Sequence, residues 1–287
     1  MSLKVIYPGG HTCIVDMGRY RCRKYGVPLS GPMDIQSALR SQSLVGNPST
    51  YPVIETFMSG LTIETQHPGV RFGVAGATVD IFVNNDLVKD DKIELAQGDR
   101  LRIGKVQQGT RTYLSIRGKI SVSTVLDSAS PLKGYHDTRL AKGDLIDILV
   151  PQSEEISKGR SLVVPLSINA DAPIIVTPGP EWEQLSESDK VRLENSNYTI
   201  DKHADRMGYR LLDPGHKIES YQEIYSSPVM PGTVQLLPSG TPLILMKDCQ
   251  TTGGYPRIFQ VTSESMLQLA QRRPGDEISF QLRGKRE

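Results

Sequence analysis

The chain has 287 residues, with 33 Lys+Arg against 32 Asp+Glu and a formal charge of +1, a balance that excludes a polyanion-coating protein and makes nucleic acid an unexpected partner. With 38% hydrophobic and 23% charged residues it has the composition of a globular chain, long enough for one large domain or two ordinary ones. No apolar run approaches the ~20 residues of a bilayer-spanning helix, and Met1-Ser2-Leu3-Lys4-Val5 lacks a secretory h-region, so the expectation is a cytoplasmic protein without a membrane partner.

Three cysteines, Cys13, Cys22 and Cys249, are an odd count in a chain too long to need staples, which predicts reduced thiols. The 26 glycines and 19 prolines exceed the roughly 12% that average usage of both gives, so the chain turns often and β structure is favoured.

Along the chain, Val15-Asp16-Met17-Gly18-Arg19 is the first dense polar block, continued by Gly26-Val27-Pro28-Leu29-Ser30-Gly31-Pro32-Met33-Asp34. Asp34 is placed to cap a helix running to about Leu44, with Ile35, Ala38 and Leu39 on one face. Leu44-Val45-Gly46-Asn47-Pro48 follows. Alternation predicts strands at Leu61-Thr62-Ile63-Glu64 and Val79-Asp80-Ile81-Phe82-Val83, and β-branched or aromatic enrichment predicts others at Arg111-Thr112-Tyr113-Leu114-Ser115-Ile116 and Ile174-Ile175-Val176. Gly98-Asp99, Gly143-Asp144 and Gly275-Asp276 each precede alternating apolar positions and read as tight turns feeding strands. The stretch 98–105 has one residue too many between its glycines for a phosphate loop, and Val106 stands where Ser or Thr must hold magnesium.

The polar stretch 152–159 is the best linker, which divides the chain into subdomains at 1–155 and 156–287. In the second half, Thr177-Pro178-Gly179-Pro180 ends an apolar strand and precedes the only tryptophan, Trp182, a core or interface anchor by composition. Ser186-x-x-Asp189 resembles a capping box before Val191 and Leu193, and Ser263 is placed to cap a third helix with Met266, Leu267 and Ala270 inward. His203-Ala204-Asp205-Arg206-Met207-Gly208-Tyr209-Arg210 is a further polar block. Another, Asp248-Cys249-Gln250-Thr251-Thr252-Gly253-Gly254-Tyr255-Pro256, follows the apolar Pro242-Leu243-Ile244-Leu245-Met246. No Gly-x-Gly-x-x-Gly, Gly-x-Ser-x-Gly, His-x-x-x-His or Cys-x-x-Cys is present, so neither a dinucleotide fold, an α/β-hydrolase nor a metal site is expected.

Several residues carry two readings. Asp16 and Arg19 form either a site pair or an ion pair pinning a turn. Asp34 is a helix cap first, and the helix N-terminus it caps is also an anion site. Asp205, Arg206 and Arg210 form either an internal ion-pair network or the charged wall of a ligand site. Thr251, Thr252, Gly253 and Gly254 offer hydroxyls and a close backbone approach to a phosphate or carboxylate. Cys249, with no histidine nearby in sequence, reads as an inert, partly buried thiol.

Taken together, Gly-Val-Pro-Leu-Ser-Gly-x-Met-Asp, Asp-Arg-Met-Gly-Tyr-Arg and Gln-Thr-Thr-Gly-Gly-Tyr-Pro resemble the biotin-dependent carboxyltransferase-like family. That family includes KipA, the group of 5-oxoprolinase C subunits, and the carboxyltransferase region of urea carboxylases. The likeness runs from about residue 7 to residue 280, is weakest between 119 and 140, and lies closer to the oxoprolinase branch. The chain departs from the family pattern at Val15, Pro32, Gln42 and Cys249. The resemblance implies a mainly β fold of two cyclophilin-like barrel subdomains with a few short helices.

It also implies the C subunit of an ATP-dependent 5-oxoprolinase, working with a KipI-like B subunit, together with an A subunit, on 5-oxo-L-proline. ATP and Mg²⁺ would be used by the complex, and no biotin would be carried on this chain. Alternatives are a carboxyltransferase acting on a urea-like amide with biotin on another chain, and a non-catalytic antagonist of a KipI-like kinase inhibitor. Asp248 and Asp205 are the candidate catalytic carboxylates. Arg19, Ser30, Asp34, Arg206, Arg210, Gln250, Thr251, Thr252, Gly253 and Gly254 are the candidate substrate-binding residues, and no metal ligand is assigned.

Overall fold

A computed structural model describes residues 1–58, 60–150, 163–212, 218 and 222–284. The chain is mainly β and forms two compact units. One comprises Met1–Arg19 and Ser30–Ile168; the other comprises Tyr20–Leu29 and Asn169–Glu287. The boundary expected at 155/156 lies outside the described residues, and the units divide at Ile168/Asn169.

The first unit is built on a ten-stranded sheet. Its path starts with β2 (His11–Val15), β3 (Val53–Phe57) and the long β8 (Arg100–Ile116). It continues through β4 (Thr62–Thr65), β1 (Ser2–Tyr7), β10 (Leu145–Leu149) and β9 (Lys119–Ile120). β5 (Val70–Val83) pairs with β8 and also with the short β6 (Asp86–Val88) and β7 (Lys92–Leu95). Period-two alternation turns one face inward: Leu3, Val5, Ile54, Ile63, Phe72, Leu101 and Leu114 are fully enclosed in one cluster. Each such side chain contributes about 1.5–3 kcal/mol by leaving water.

Helix α1 (Ile35–Leu44) lies against this unit, capped as expected by Asp34, whose Oδ1 accepts from the Ser37 amide at 3.0 Å. Ala38 on its inner face is fully enclosed. Gly73 on β5 is required there, since a Cβ would sit 2.4 Å from the Ser41 carbonyl oxygen of the helix.

The second unit is a closed barrel in the order β11 (Ile174–Pro178), β18 (Arg257–Val261), β15 (Thr233–Leu236), β16 (Pro242–Leu245), β13 (Gly208–Leu212), β12 (Asn197–Ile200) and β19 (Glu277–Leu282). β11 and β19 close it as a parallel pair. Trp182 packs against Phe259 with ring centroids 4.7 Å apart, and Phe259 against Phe280 at 5.1 Å, so the tryptophan is a core anchor. A two-stranded ribbon pairs β14 (Ser227–Pro228) with β17 (Thr252–Gly253).

Helix α2 (Glu187–Asn195) is capped by Ser186, which accepts from the Asp189 amide, and it buries Leu193. Helix α3 (Ser263–Ala270) is capped one residue earlier than expected: Thr262 has the extended backbone and its hydroxyl accepts from the Ser265 amide at 3.3 Å. Its buried positions include Leu269 and Ala270. Among the described residues, no helix is long and apolar enough to cross a membrane.

The three Gly-Asp turns share one construction. Gly98, Gly143 and Gly275 have φ of 84°, 95° and 90°, the left-handed region. Asp99, Asp144 and Asp276 each accept from the amide three residues back, at 2.8, 2.7 and 2.7 Å. Each turn feeds a strand, respectively β8, β10 and β19.

Candidate functional site

Three of the candidate residues lie in the first unit, and each is engaged by protein groups. Arg19 is fully buried and its guanidinium donates to the carbonyls of Val125 (3.2 Å), Pro131 (3.2 Å) and Ser130. Asp16 grips the same loop, accepting from Ser128 Oγ (2.6 Å), the Ala129 amide (2.7 Å) and Ser130 Oγ (2.8 Å). Burial pushes its carboxyl upward, yet those bonds with one from the Gly18 amide outweigh it and hold the pKa below the ordinary carboxylate value. Ser30 sits at φ 58° ahead of Gly31 at φ 88°, and its hydroxyl reaches the Pro131 carbonyl at 3.4 Å.

Asp34 anchors a buried network that the sequence did not reveal. Its amide donates to the Tyr113 hydroxyl at 2.8 Å, and that hydroxyl donates to Glu55 Oε2 at 2.7 Å. Glu55 also accepts from the Met33 amide at 2.9 Å and lies 3.9 Å from Arg111 Nε. Burial, reinforced by the Glu55 and Asp34 carboxylates, pushes the Tyr113 phenol well above its usual range, so it stays a donor. The amides of Met33, Asp34 and Ser37 at the start of α1 are thus all paired within the protein.

The second unit has different features. A pocket of about 430 Å³ opens beside the β13–β16 pair, a volume suited to a small molecule. Period two sends Tyr209 and Leu211 of β13 into the barrel core and leaves Gly208 and Arg210 on the other face. Arg210 is opposite Leu243 in the register, and Gly208 is opposite Leu245. A Cβ at Gly208 would lie 3.0 Å from Leu243 Cδ1 and 3.2 Å from the Ile244 oxygen, so glycine lets the strands and their side chains close together here.

Leu243, Leu245 and Met207 give the pocket an apolar surface. Arg210 and Gln250 supply polar groups, and Asp201, His203 and Asp205 complete the wall. The connection 201–208 is self-supporting. Asp201 Oδ1 accepts from the His203 amide at 2.7 Å, and Asp205 Oδ1 accepts from the amides of Met207 (2.7 Å) and Gly208 (3.2 Å). Arg210 is exposed, and among the described residues its guanidinium makes no ion pair.

Arg206 and Asp248, by contrast, form a bidentate pair, Nε to Oδ2 at 2.7 Å and Nη2 to Oδ1 at 3.0 Å. The Asp248 amide donates to the Arg206 carbonyl at 2.8 Å, which ties the 203–210 block to the 248–256 block. Cys249 next to it is fully buried, and burial pushes its thiol up to about 11 against the lowering effect of Arg23, an inert setting in agreement with the sequence reading.

Gln250 Nε2 donates to Gln235 Oε1 at 3.2 Å, and Gln235 Nε2 donates to the Tyr255 carbonyl at 3.3 Å. Gln235 is fully buried in β15, opposite Leu243 and so on the face away from the barrel core, and its only sequence signal is an amide between two apolar positions of a strand. Thr251 accepts from the Val229 amide through its carbonyl, and Gly254 accepts likewise from Ile224. Gly253 packs against Gln235: a Cβ would lie 2.7 Å from Gln235 Nε2, whereas at Gly254 it would lie 3.3 Å from the Ile224 oxygen. The structure therefore gathers Asp205, Arg210 and Gln250 at one pocket, with Arg206, Asp248 and Gly253 bracing its walls.

Comparison with known proteins places this geometry among relatives. Residues 25–282 match the family described as carboxyltransferase domain, subdomain A and B. The Escherichia coli protein named as the C subunit of 5-oxoprolinase is 30% identical over 285 residues, 97% of this chain and 90% of that one. A crystal structure of a protein designated TTHA0988 superposes with a TM-score of 0.83 at 29% identity, covering 98% of this chain. The K. lactis urea amidolyase gives 0.84 at 28% identity, covering 97%. The chain spans 55% of the TTHA0988 chain and 18% of the urea amidolyase chain.

Proposed function

The chain belongs to the carboxyltransferase domain family, subdomain A and B, and from that premise we propose that it is the C subunit of an ATP-dependent 5-oxoprolinase. In that role it acts with a KipI-like B subunit, together with an A subunit, in the cytoplasm to activate 5-oxo-L-proline and open it to L-glutamate. The observation that carries the reading is the pocket of the second unit, where Arg210, without an ion pair among the described residues, stands beside the apolar Leu243, Leu245 and Met207. A small cyclic carboxylate has those two needs: a guanidinium fork for the carboxylate and an apolar wall for ring methylenes. The likeness, over 97% of the chain, to a protein named as the C subunit of 5-oxoprolinase supports it.

The chemistry explains why ATP is required. An unstrained lactam is a poor electrophile near neutral pH. Transfer of a phosphoryl group to its carbonyl oxygen, with loss of ADP, leaves an activated carbon for water; phosphate departs, and the ring C–N bond breaks to give the amine and carboxylate of glutamate. Among the described residues, no cluster of three or more His, Cys, Asp or Glu could hold a metal ion, and the proposal assigns ATP with Mg²⁺ to the complex.

Within this chain Arg210 binds the substrate carboxylate and Asp205 at the pocket wall is the carboxylate for proton transfer. Asp248 acts through its pair with Arg206 to fix the 248–256 turn. The likeness to a urea amidolyase structure favours one second reading, carboxyl transfer to a urea-like amide with biotin on another chain.

The test is glutamate and ADP formation from 5-oxoproline by the purified A and B subunits, with this chain present or omitted. Product that depends on the chain supports the reading. Product at the same rate without it rejects the reading, and bicarbonate- and biotin-dependent turnover of urea would favour the second.

A further inference from the structure

We propose that Gln250 accepts a hydrogen bond from a neutral N–H of the ligand, with its polarity set by Gln235, so that the pocket selects lactams over the corresponding lactones. The inference rests on the reading of this pocket as the 5-oxoproline site and names what that site recognises beyond the carboxylate.

The argument follows hydrogen-bond polarity from a fixed end. The Tyr255 backbone carbonyl can only accept, so the Gln235 atom that faces it at 3.3 Å must be the amide nitrogen. Gln235 therefore turns Oε1 toward Gln250, and Oε1 can only accept. The Gln250 atom facing it at 3.2 Å must then be Nε2. That leaves Gln250 Oε1 with no partner among the described residues, on a half-buried side chain that lines the pocket. Gln250 on its own would be free to present either end of its amide.

Gln235 cannot turn over to release it. It is fully buried, and its reversed amide would set Oε1 against the Tyr255 carbonyl, two acceptors facing each other away from water. The pocket thus presents a donor fork at Arg210 and an acceptor at Gln250. 5-Oxoproline carries the complementary pair, a carboxylate and a ring N–H. Its lactone counterpart, 5-oxotetrahydrofuran-2-carboxylate, has the same shape and charge but places a ring oxygen where the N–H would be, leaving the acceptor unmatched. Gln235 is a positioning residue in this scheme and does not touch the ligand.

The experiment is calorimetric titration of the full chain with 5-oxoproline and with the lactone, for wild type, Gln235→Met, Gln250→Met and Arg210→Met. Expected for wild type is a lactam affinity ~10- to 100-fold above that of the lactone. Gln235→Met and Gln250→Met should bring the two affinities within about threefold while lactone binding persists, which also certifies the fold. Arg210→Met should weaken both ligands alike. Equal affinities in wild type, or a ratio retained in both glutamine variants, overturns this inference alone, provided that Arg210→Met still weakens both ligands. Binding of neither ligand, or indifference of both to Arg210→Met, overturns the pocket reading and this inference with it.

Discussion

Replacing Arg210 separates ligand binding from stability, because the structure gives its guanidinium no structural work. It is exposed on the outer face of β13, opposite Leu243, and among the described residues it makes no ion pair. An exposed side chain without partners changes stability by about 0.5 kcal/mol or less when replaced. A bidentate bond to a carboxylate is worth far more, about 1.5–3 kcal/mol, or roughly ten- to a hundredfold in affinity or kcat/KM. Arg210→Lys keeps the charge and loses the fork, so it should fall in that range, and Arg210→Met should fall further. The assay is kcat/KM for 5-oxoproline in the reconstituted complex beside a thermal melt of the same samples. Unchanged kcat/KM in both variants, or a fall in Tm of several degrees with intact kinetics, would remove Arg210 from the site.

Asp34→Ala should cost about 1–3 kcal/mol in urea denaturation, since it removes the cap of α1 and strands the buried Ser37 amide; a loss below ~0.5 kcal/mol would contradict the cap. Asp16 titrates below the ordinary carboxylate value when folded, so its contribution is present above the unfolded pKa of roughly 4 and is lost as pH falls through the folded value. Asp16→Asn should accordingly flatten the acid limb of stability against pH, and an unchanged limb would count against it. Gly253→Ala, which drives a methyl into Gln235 Nε2, should lower kcat/KM several-fold more than Gly254→Ala, whose Cβ meets the Ile224 oxygen at 3.3 Å; the reverse order would sink the packing argument. With iodoacetamide near neutral pH, mass spectrometry should find Cys22 alkylated first, because Cys13 and Cys249 are buried and the Cys249 thiol is pushed up to about 11.

Local chemistry was legible in the sequence wherever its partners are neighbours in the chain. The caps at Asp34 and Ser186 and the three Gly-Asp turns are made by residues three apart, so composition and spacing sufficed. The cap of α3 slipped from Ser263 to Thr262 because both carry hydroxyls and only the backbone, extended at Thr262, decides between them. The grouping of Tyr20–Leu29 with the second unit had no local signal, since it rests on contacts such as Arg23 to the Val229 carbonyl, 206 residues away. Period-two alternation likewise marks a strand without saying which strand it pairs with, so the barrel was expected from the family resemblance and not from alternation, and neither its strand order nor the parallel β11–β19 closure was readable.

The candidate site shows the same limit in chemical form. Density of charge picked out 15–34, 203–210 and 248–256 alike, but a polar group enclosed in a protein must be paired, and it is the pairing that separates scaffold from site. Arg19 spends its guanidinium on backbone carbonyls more than a hundred residues away, and Asp34 spends its carboxylate on Ser37. Arg206 and Asp248 form a bidentate pair with each other. Among the described residues, Arg210 and the Gln250 carbonyl oxygen are left over at one pocket, the first a donor and the second an acceptor whose direction Gln235 and Tyr255 set. Hydrogen-bonding capacity of opposite kinds, on strand β13 on one side and beside a buried amide on the other, is the basis of the proposed preference for a ligand with a carboxylate and an N–H.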